Sequence, residues 1–175
     1  QVMSDLHLEY SLVLPPSVEV KSDALALVGD IGHPSKDNYK EFVFGMADRF
    51  PQVYIVLGNH EFYGSEYYSL KQIARDICQQ RDNLHLMDQN SILYVNPTNP
   101  NDQVRLIGTT LWSHVPTQNE RAVQRGVSDY SYILITDDKT QEQRRITIQD
   151  TNSWHAKELK FVRDELQKAK ENGEK

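Results

Sequence analysis

The chain has 175 residues, the size of one domain, and its 38% hydrophobic and 25% charged content is that of an ordinary globular protein. No apolar run is long enough to span a bilayer, so a transmembrane helix is excluded. A net charge of −6 weighs against a non-specific nucleic-acid binder, which needs Lys and Arg against phosphates.

Taken in chain order, the first residues, "QVMSDLH", read as the end of a strand. Gln1 is not a natural start, so sequence is expected to have been removed upstream. Two further segments have the same shape, "ALALVGDIG" and "VYIVLGNHE": an apolar run ending in polar, chemically capable residues. Continuous apolar strands predict a sheet covered on both faces. Between them, Tyr39, Phe42, Val43, Met46 and Phe50 recur at helical spacing, giving a strand–helix–strand unit. Ser65 is placed to cap a helix running to about Arg81, with Tyr67, Leu70, Ile73, Ala74 and Ile77 inward. The single cysteine, Cys78, falls in that helix and reads as a small buried hydrophobe. It leaves no intrachain disulfide and fits a reducing, cytoplasmic setting.

Beyond this helix, "NLHLM", "SILYVNP" and "VRLIGTT" predict a meander of short strands, the last two joined through the hairpin loop "NPTNPND". From "SHVPTQNE" to "DDKTQEQRR" the composition predicts a polar excursion with at most a short helix around Asn119 to Arg125. Thr147 and Asp150 form a capping box that opens a helix with Ile148, Trp154, Leu159, Val162 and Leu166 on one stripe, and Gly173 is placed to stop it. No repeat or linker divides the chain, and residues 1–175 read as a single α/β domain with a mixed sheet.

The chemistry-bearing residues sit where the three leading strands end. Groups at the carboxyl ends of neighbouring parallel strands converge on one crevice. Asp5 with His7, then Asp30, then Asn59 with His60 take that place in turn. Residues i and i+2 of an extended segment point the same way, so Asp5 and His7 can reach one metal ion with Leu6 turned to the core. Carboxylate with imidazole suits Mn, Fe or Zn better than Ca or Mg. Asp30, beside Gly29, can approach closely and bridge two metals, and Asn59 offers a neutral oxygen to the second. His33 and Tyr63 are candidate substrate contacts, each with a bland alternative: a solvated loop histidine and a tyrosine packed on its loop. His114 reads as surface, His85 and His155 as structural or exposed, and Trp112 and Trp154 as core.

Asp5/His7, Gly29-Asp30 and Gly58-Asn59-His60-Glu61, in that order and each after a strand, resemble the signature of the calcineurin-like metallophosphoesterase superfamily. The resemblance runs more loosely through "IGTTLWSH", "SDYSYI" and "NSWHAKELKF". It implies an α/β/β/α sandwich with mixed sheets and two divalent metal ions (Mn, Fe or Zn) bridged by Asp30, with Asp5 and His7 on the first and Asn59 on the second. A metal-activated hydroxide would attack phosphorus while His60 stabilises or protonates the leaving oxygen. The family's later histidines have no counterpart here, so the chain is expected to be the amino-terminal part of a longer phosphoesterase, incomplete at its C-terminal end and inactive alone. Acidic balance favours a phosphorylated small molecule or phosphoprotein as substrate over long nucleic acid. The alternatives are a catalytically silent binding or scaffold protein that keeps the fold, and a nuclease of the same superfamily.

Overall fold

Four short aliphatic runs build one parallel sheet in a computed structural model that describes residues 1–10, 18–137 and 139–175. They are β1 (Val2–Met3), β2 (Ala24–Val28), β3 (Gln52–Val56) and β4 (Leu84–Leu86), in the order β1-β2-β3-β4. Met3, Leu27, Ile55 and Leu86 stand side by side in one row across it. Asp5, Asp30 and Asn59 follow that row by only a few residues, so the register alone delivers all three to one edge.

Helix α1 (Asp37–Ala47) joins β2 to β3 and buries Tyr39, Phe42, Val43 and Met46, as its spacing predicts; Phe50, just beyond its end, is buried too. Helix α2 (Tyr67–Cys78) starts one residue later than Ser65 would place it. Glu66 is the cap, its carboxylate accepting the Ser69 N–H at 2.8 Å, while Ser65 is drawn off to His33. Tyr67, Leu70, Ala74 and Ile77 face inward as expected, but Ile73 is 37% exposed. The buried stripe turns instead toward Lys71, whose ammonium pairs with Asp88 at 2.5 Å and lies 5.0 Å from the centre of the Tyr67 ring. Cys78 is buried, and burial pushes its thiol up to about 11.

"NLHLM" does not begin the meander. It forms β4 and pairs parallel with β3, because α2 supplies the crossover that a parallel partner requires. β5 (Asn90–Val95) and β6 (Gln103–Gly108) form the expected antiparallel hairpin. The excursion is more ordered than its composition suggests. It holds α3 (Glu120–Gly126), the single-turn α4 (Asp129–Tyr132) and a second hairpin of β7 (Leu134–Thr136) with β8 (Gln143–Arg145). Asp138, within it, lies outside the described residues. Short polar strands are hard to read because three residues carry little periodicity.

Helix α5 (Ile148–Glu171) opens on the Thr147–Asp150 capping box. It ends in a Schellman turn: Gly173 has φ +68° and its N–H bonds Lys170 O, while Glu174 N–H bonds Ala169 O. Its buried residues are Ile148, Thr151, Trp154, Glu158 and Ala169, so the stripe runs off the predicted one, and Leu166 is exposed. Trp154 stacks on Tyr67 with ring centres 3.9 Å apart, and Trp112 joins at 5.4 Å from Trp154, so both tryptophans are core. On the sheet, Leu25 and Leu27 are fully buried against α1, whereas Ala24 and Ala26 are half-buried and Val28 is 42% exposed. At β2 the second face is therefore less covered than the continuous apolar runs predict, whereas on β3 the successive residues Val53, Tyr54 and Ile55 are all buried. Among the described residues, no helix is long and apolar enough to cross a membrane.

Candidate metal centre

Beyond the ends of β1 and β2 the backbone keeps pairing: Asp5 N–H donates to Gly29 O, His7 N–H to Asp30 O and Leu8 N–H to Ile31 O. The segment is not extended, however. Asp5 (φ +56°), His7 (φ +48°) and Asp30 (φ +54°) all lie in the left-handed region. Non-glycine residues held there cost on the order of 1–3 kcal/mol each and persist only where surrounding contacts dictate them. Asp5 and His7 thus meet through a turn rather than through strand alternation. Leu6 still packs against the core.

Glu61 holds the Asp30 end of this geometry, while Asp5 and His7 are held by their backbone bonds to Gly29 and Asp30. The Glu61 side chain is fully buried, and its two oxygens accept the N–H groups of Gly58 (2.8 Å), Asp30 (3.0 Å) and Ile31 (2.7 Å). One carboxylate therefore ties the loop after β2 to the loop after β3. Burial pushes this carboxyl up to about 7, against the pull of the N–H groups, which favour the ionised form. Gly58 is required by the same closeness: a Cβ there would stand 2.2 Å from Asp30 Oδ1. Asp30 Oδ1 in turn accepts the His60 N–H at 3.1 Å.

The ligand atoms of Asp5, His7 and Asp30 lie within 4.8 Å of one another, and those of His7, Glu9 and His60 form a second such group. Glu9 Oε1 is 3.1 Å from His7 Nδ1 and 3.4 Å from His60 Nδ1. Burial alone would lower the His7 pKa, but the Glu9 hydrogen bond and the charges of Glu9, Asp30 and Asp5 raise it. Bonding through Nδ1 fixes the ring and leaves Nε2 as the nitrogen open to a metal. The donor set fits a divalent cation on the structure's own evidence. Asp5, Glu9 and Asp30 bring three carboxylates together with no Lys or Arg paired to them among the described residues, and Glu9 Oε2 is buried with no partner.

The His60 ring stacks on Tyr63 at 4.4 Å and meets His7 edge-on at 4.5 Å. Its Nδ1 is buried beside Glu9 without a hydrogen bond, leaving the Nε2 edge to face a ligand. Asn59 donates its Nδ2 to Asp129 Oδ1 at 2.7 Å and to the Tyr63 hydroxyl at 3.2 Å, and that hydroxyl donates to Asp129 at 2.6 Å. Burial and the bond to Asp129 push the Tyr63 phenol up to about 12. A cavity of about 410 Å³ opens beside this network, lined by Asn59, Asp129, Leu111, Trp112, Val115 and Tyr130 among others.

The structure therefore brings Asp5, His7, Asp30 and His60 together with Glu9, while Asn59 lies on the adjoining loop with its side chain bonded to Asp129 and Tyr63. His33 is held differently. Its Nδ1 accepts the Ser35 N–H at 3.2 Å and its Nε2 lies 2.9 Å from Ser65 Oγ, so both nitrogens serve the loop, and burial lowers its pKa. His114 is exposed, His155 bonds Trp112 O, and His85 stacks on Tyr54 with Nε2 2.7 Å from Gln52 Oε1. Sequence reasoning missed Glu9 and Asp129. Glu9 carried a signal, two residues past His7 in "DLHLE"; Asp129 carried only its place in "SDYSYI", a looser stretch of the resemblance, seventy positions from its partner.

A family model for calcineurin-like phosphoesterases matches residues 2–124. The chain is 30% identical to uncharacterized protein L509 of Acanthamoeba polyphaga mimivirus over 94% of its own length and 61% of that protein's. Its fold resembles that of the phosphopantetheinyl hydrolase PptH from Mycobacterium tuberculosis, with a TM-score of 0.63 at 14% identity, covering 95% of this chain and 62% of that one. The chain thus spans about three fifths of the length of either. With the three motif blocks at the strand ends and a family match over most of its length, the chain belongs to the calcineurin-like phosphoesterase family.

Proposed function

We propose that this protein takes part in metal-dependent hydrolysis of a phosphoester at a dinuclear centre. The observation that carries the reading is the Asp5, His7 and Asp30 donor set, three side chains from two strand ends with no Lys or Arg paired to them among the described residues. Asp5, His7 and Asp30 hold the first cation, and Asp30 with Asn59 the second. Mn, Fe or Zn suits the mixed carboxylate and imidazole donors. Two bound cations supply charge neutralisation on the attacking and leaving oxygens and an activated water.

The chain's own residues do the rest. Glu61 fixes the two loops so that Asp30 stays between the cations. His60, braced by Tyr63 and by Glu9 at its buried edge, presents Nε2 to donate a proton to the leaving oxygen, a role typically worth about 10²–10⁴-fold. The negative surface favours a phosphorylated small molecule or phosphoprotein over long nucleic acid. A reducing, cytoplasmic setting suits the one buried cysteine.

The test combines Mn²⁺ stoichiometry with His60→Gln in a protein of the relatives' full length, because the family's later histidines have no counterpart in these 175 residues. Wild type and variant should retain the same number of ions. The variant should hydrolyse an alkyl phosphate about 10²-fold more slowly, with a smaller loss on p-nitrophenyl phosphate, whose leaving group needs no proton. Equal rates on the alkyl ester would remove His60 from the acid role. A wild-type chain that holds no Mn²⁺ would favour the binding-protein alternative.

A further inference from the structure

We infer that Asp129 is a positioning residue for the metal centre: it orients the Asn59 carboxamide so that Oδ1, not Nδ2, faces the second cation. The inference rests on the placement of that cation at Asn59 proposed above. An ionised carboxylate can only accept hydrogen bonds, so Asp129 Oδ1 at 2.7 Å identifies its Asn59 neighbour as the amide nitrogen. The carbonyl oxygen must then point the other way. Tyr63 locks the choice. Its hydroxyl donates to the same Asp129 oxygen at 2.6 Å and accepts from Asn59 Nδ2 at 3.2 Å, so all three groups agree on one direction of donation.

The arrangement has a structural consequence. Asp129 opens α4, and Gly64 N–H donates to Tyr132 O at 2.8 Å at the other end of that turn. The Tyr63 and Tyr132 rings pack 5.4 Å apart. The excursion is thereby fastened to the loop that carries Asn59 and His60. No Lys or Arg pairs with Asp129 among the described residues, so its charge is free to polarise the carboxamide. Such outer partners typically change metal affinity by about 10–100-fold.

The test reads the carboxamide directly, by the ¹⁵N–¹H signals of the Asn59 side chain in the metal-free chain and during a Zn²⁺ titration. In the metal-free wild type, the Asn59 NH₂ pair should be shifted and slow to exchange. Asp129→Ala should return it to solvent-like behaviour, and Asp129→Asn, which retains an acceptor oxygen, should restore it. With Zn²⁺, the Asn59 signals should need about tenfold more metal in Asp129→Ala than in wild type, while the His7 ring responds at unchanged concentration. An Asn59 pair unchanged by Asp129→Ala overturns the orienting role whatever the metal does. If Asp129→Asn weakens Zn²⁺ binding at Asn59 as much as Asp129→Ala, Asp129 is a direct ligand and the inference is wrong. If wild-type His7 and Asn59 both ignore Zn²⁺, the metal reading itself fails, although the metal-free spectra still decide the hydrogen bond.

Discussion

Two buried carboxylates hold the two halves of this crevice, and they do so very differently. Glu61 lies between the strand-end loops and takes four backbone N–H groups, that of Gly32 the longest at 3.5 Å. Glu158, on α5, lies under the start of the excursion and takes one, that of Trp112 at 2.9 Å; it too is almost fully buried, which raises its pKa. The first side of the site is built of strained backbone, with Asp5, His7 and Asp30 at positive φ and Asp30 bonded to the Glu61 carboxylate. The second side is built of ordinary packing among Tyr67, Trp112 and Trp154, with Asp129 reaching across to Asn59. Where ligand geometry must be held against its own backbone preference, a short stretch of sequence shows it. Where a helix turn is merely docked, the sequence is silent.

The sharpest way to break this contrast is Glu61→Ala. It would leave the buried Ile31 N–H and the half-buried Asp30 and Gly58 N–H groups without their acceptor, at about 1–3 kcal/mol for a fully buried one, so urea unfolding should show a loss of about 3 kcal/mol. Bound Mn²⁺ should fall with it, because Asp30 loses its anchor. Glu158→Ala leaves one such donor, and the expected loss is about 1–3 kcal/mol with Mn²⁺ stoichiometry unchanged. If the two variants lost equal stability and equal metal, the strand-end loops would not depend on Glu61 in the way their geometry suggests.

The same contrast explains what the sequence could show. The parallel sheet, α1 and the α5 cap were legible because aliphatic runs, a helical repeat and a Thr/Asp pair are local signals. The places of Asp5, Asp30 and Asn59 just past strand ends are legible in the sequence, and so is the grouping of Asp5 and His7 with Asp30, although Asp5 and His7 meet through left-handed backbone and not through strand alternation. β4 was misassigned because a three-residue strand does not reveal its partner's direction. The outward turn of Ile73 goes with Lys71 finding Asp88, a residue in the loop between β4 and β5. Glu9 had a visible position but no visible partner. Asp129 became a site residue only when α4 docked, which no spacing within "SDYSYI" encodes.

The smallest expected effect concerns Asp150, where the excursion gives way to α5. Its oxygens accept the Thr147 N–H at 2.8 Å and the Arg144 guanidinium at 2.7 and 2.9 Å. Burial pushes the carboxyl up, but the bonds from Arg144 and Thr147 outweigh it and hold the pKa below the usual carboxylate value. A carboxyl with a depressed pKa gives up its proton more readily folded than unfolded. Its stabilisation is therefore complete above the unfolded value near 4 and fades as pH falls through the folded one. Arg144 is 39% exposed, so solvent screens the pair and about 1 kcal/mol is the expected size. Asp150→Asn should then unfold about 1 kcal/mol more easily than wild type in urea at pH 7, with the gap closing toward pH 3 and narrowing in high salt. A gap independent of pH would mean that the helix start is held by hydrogen bonding alone, as at Glu158, and that the charge of Asp150 contributes nothing.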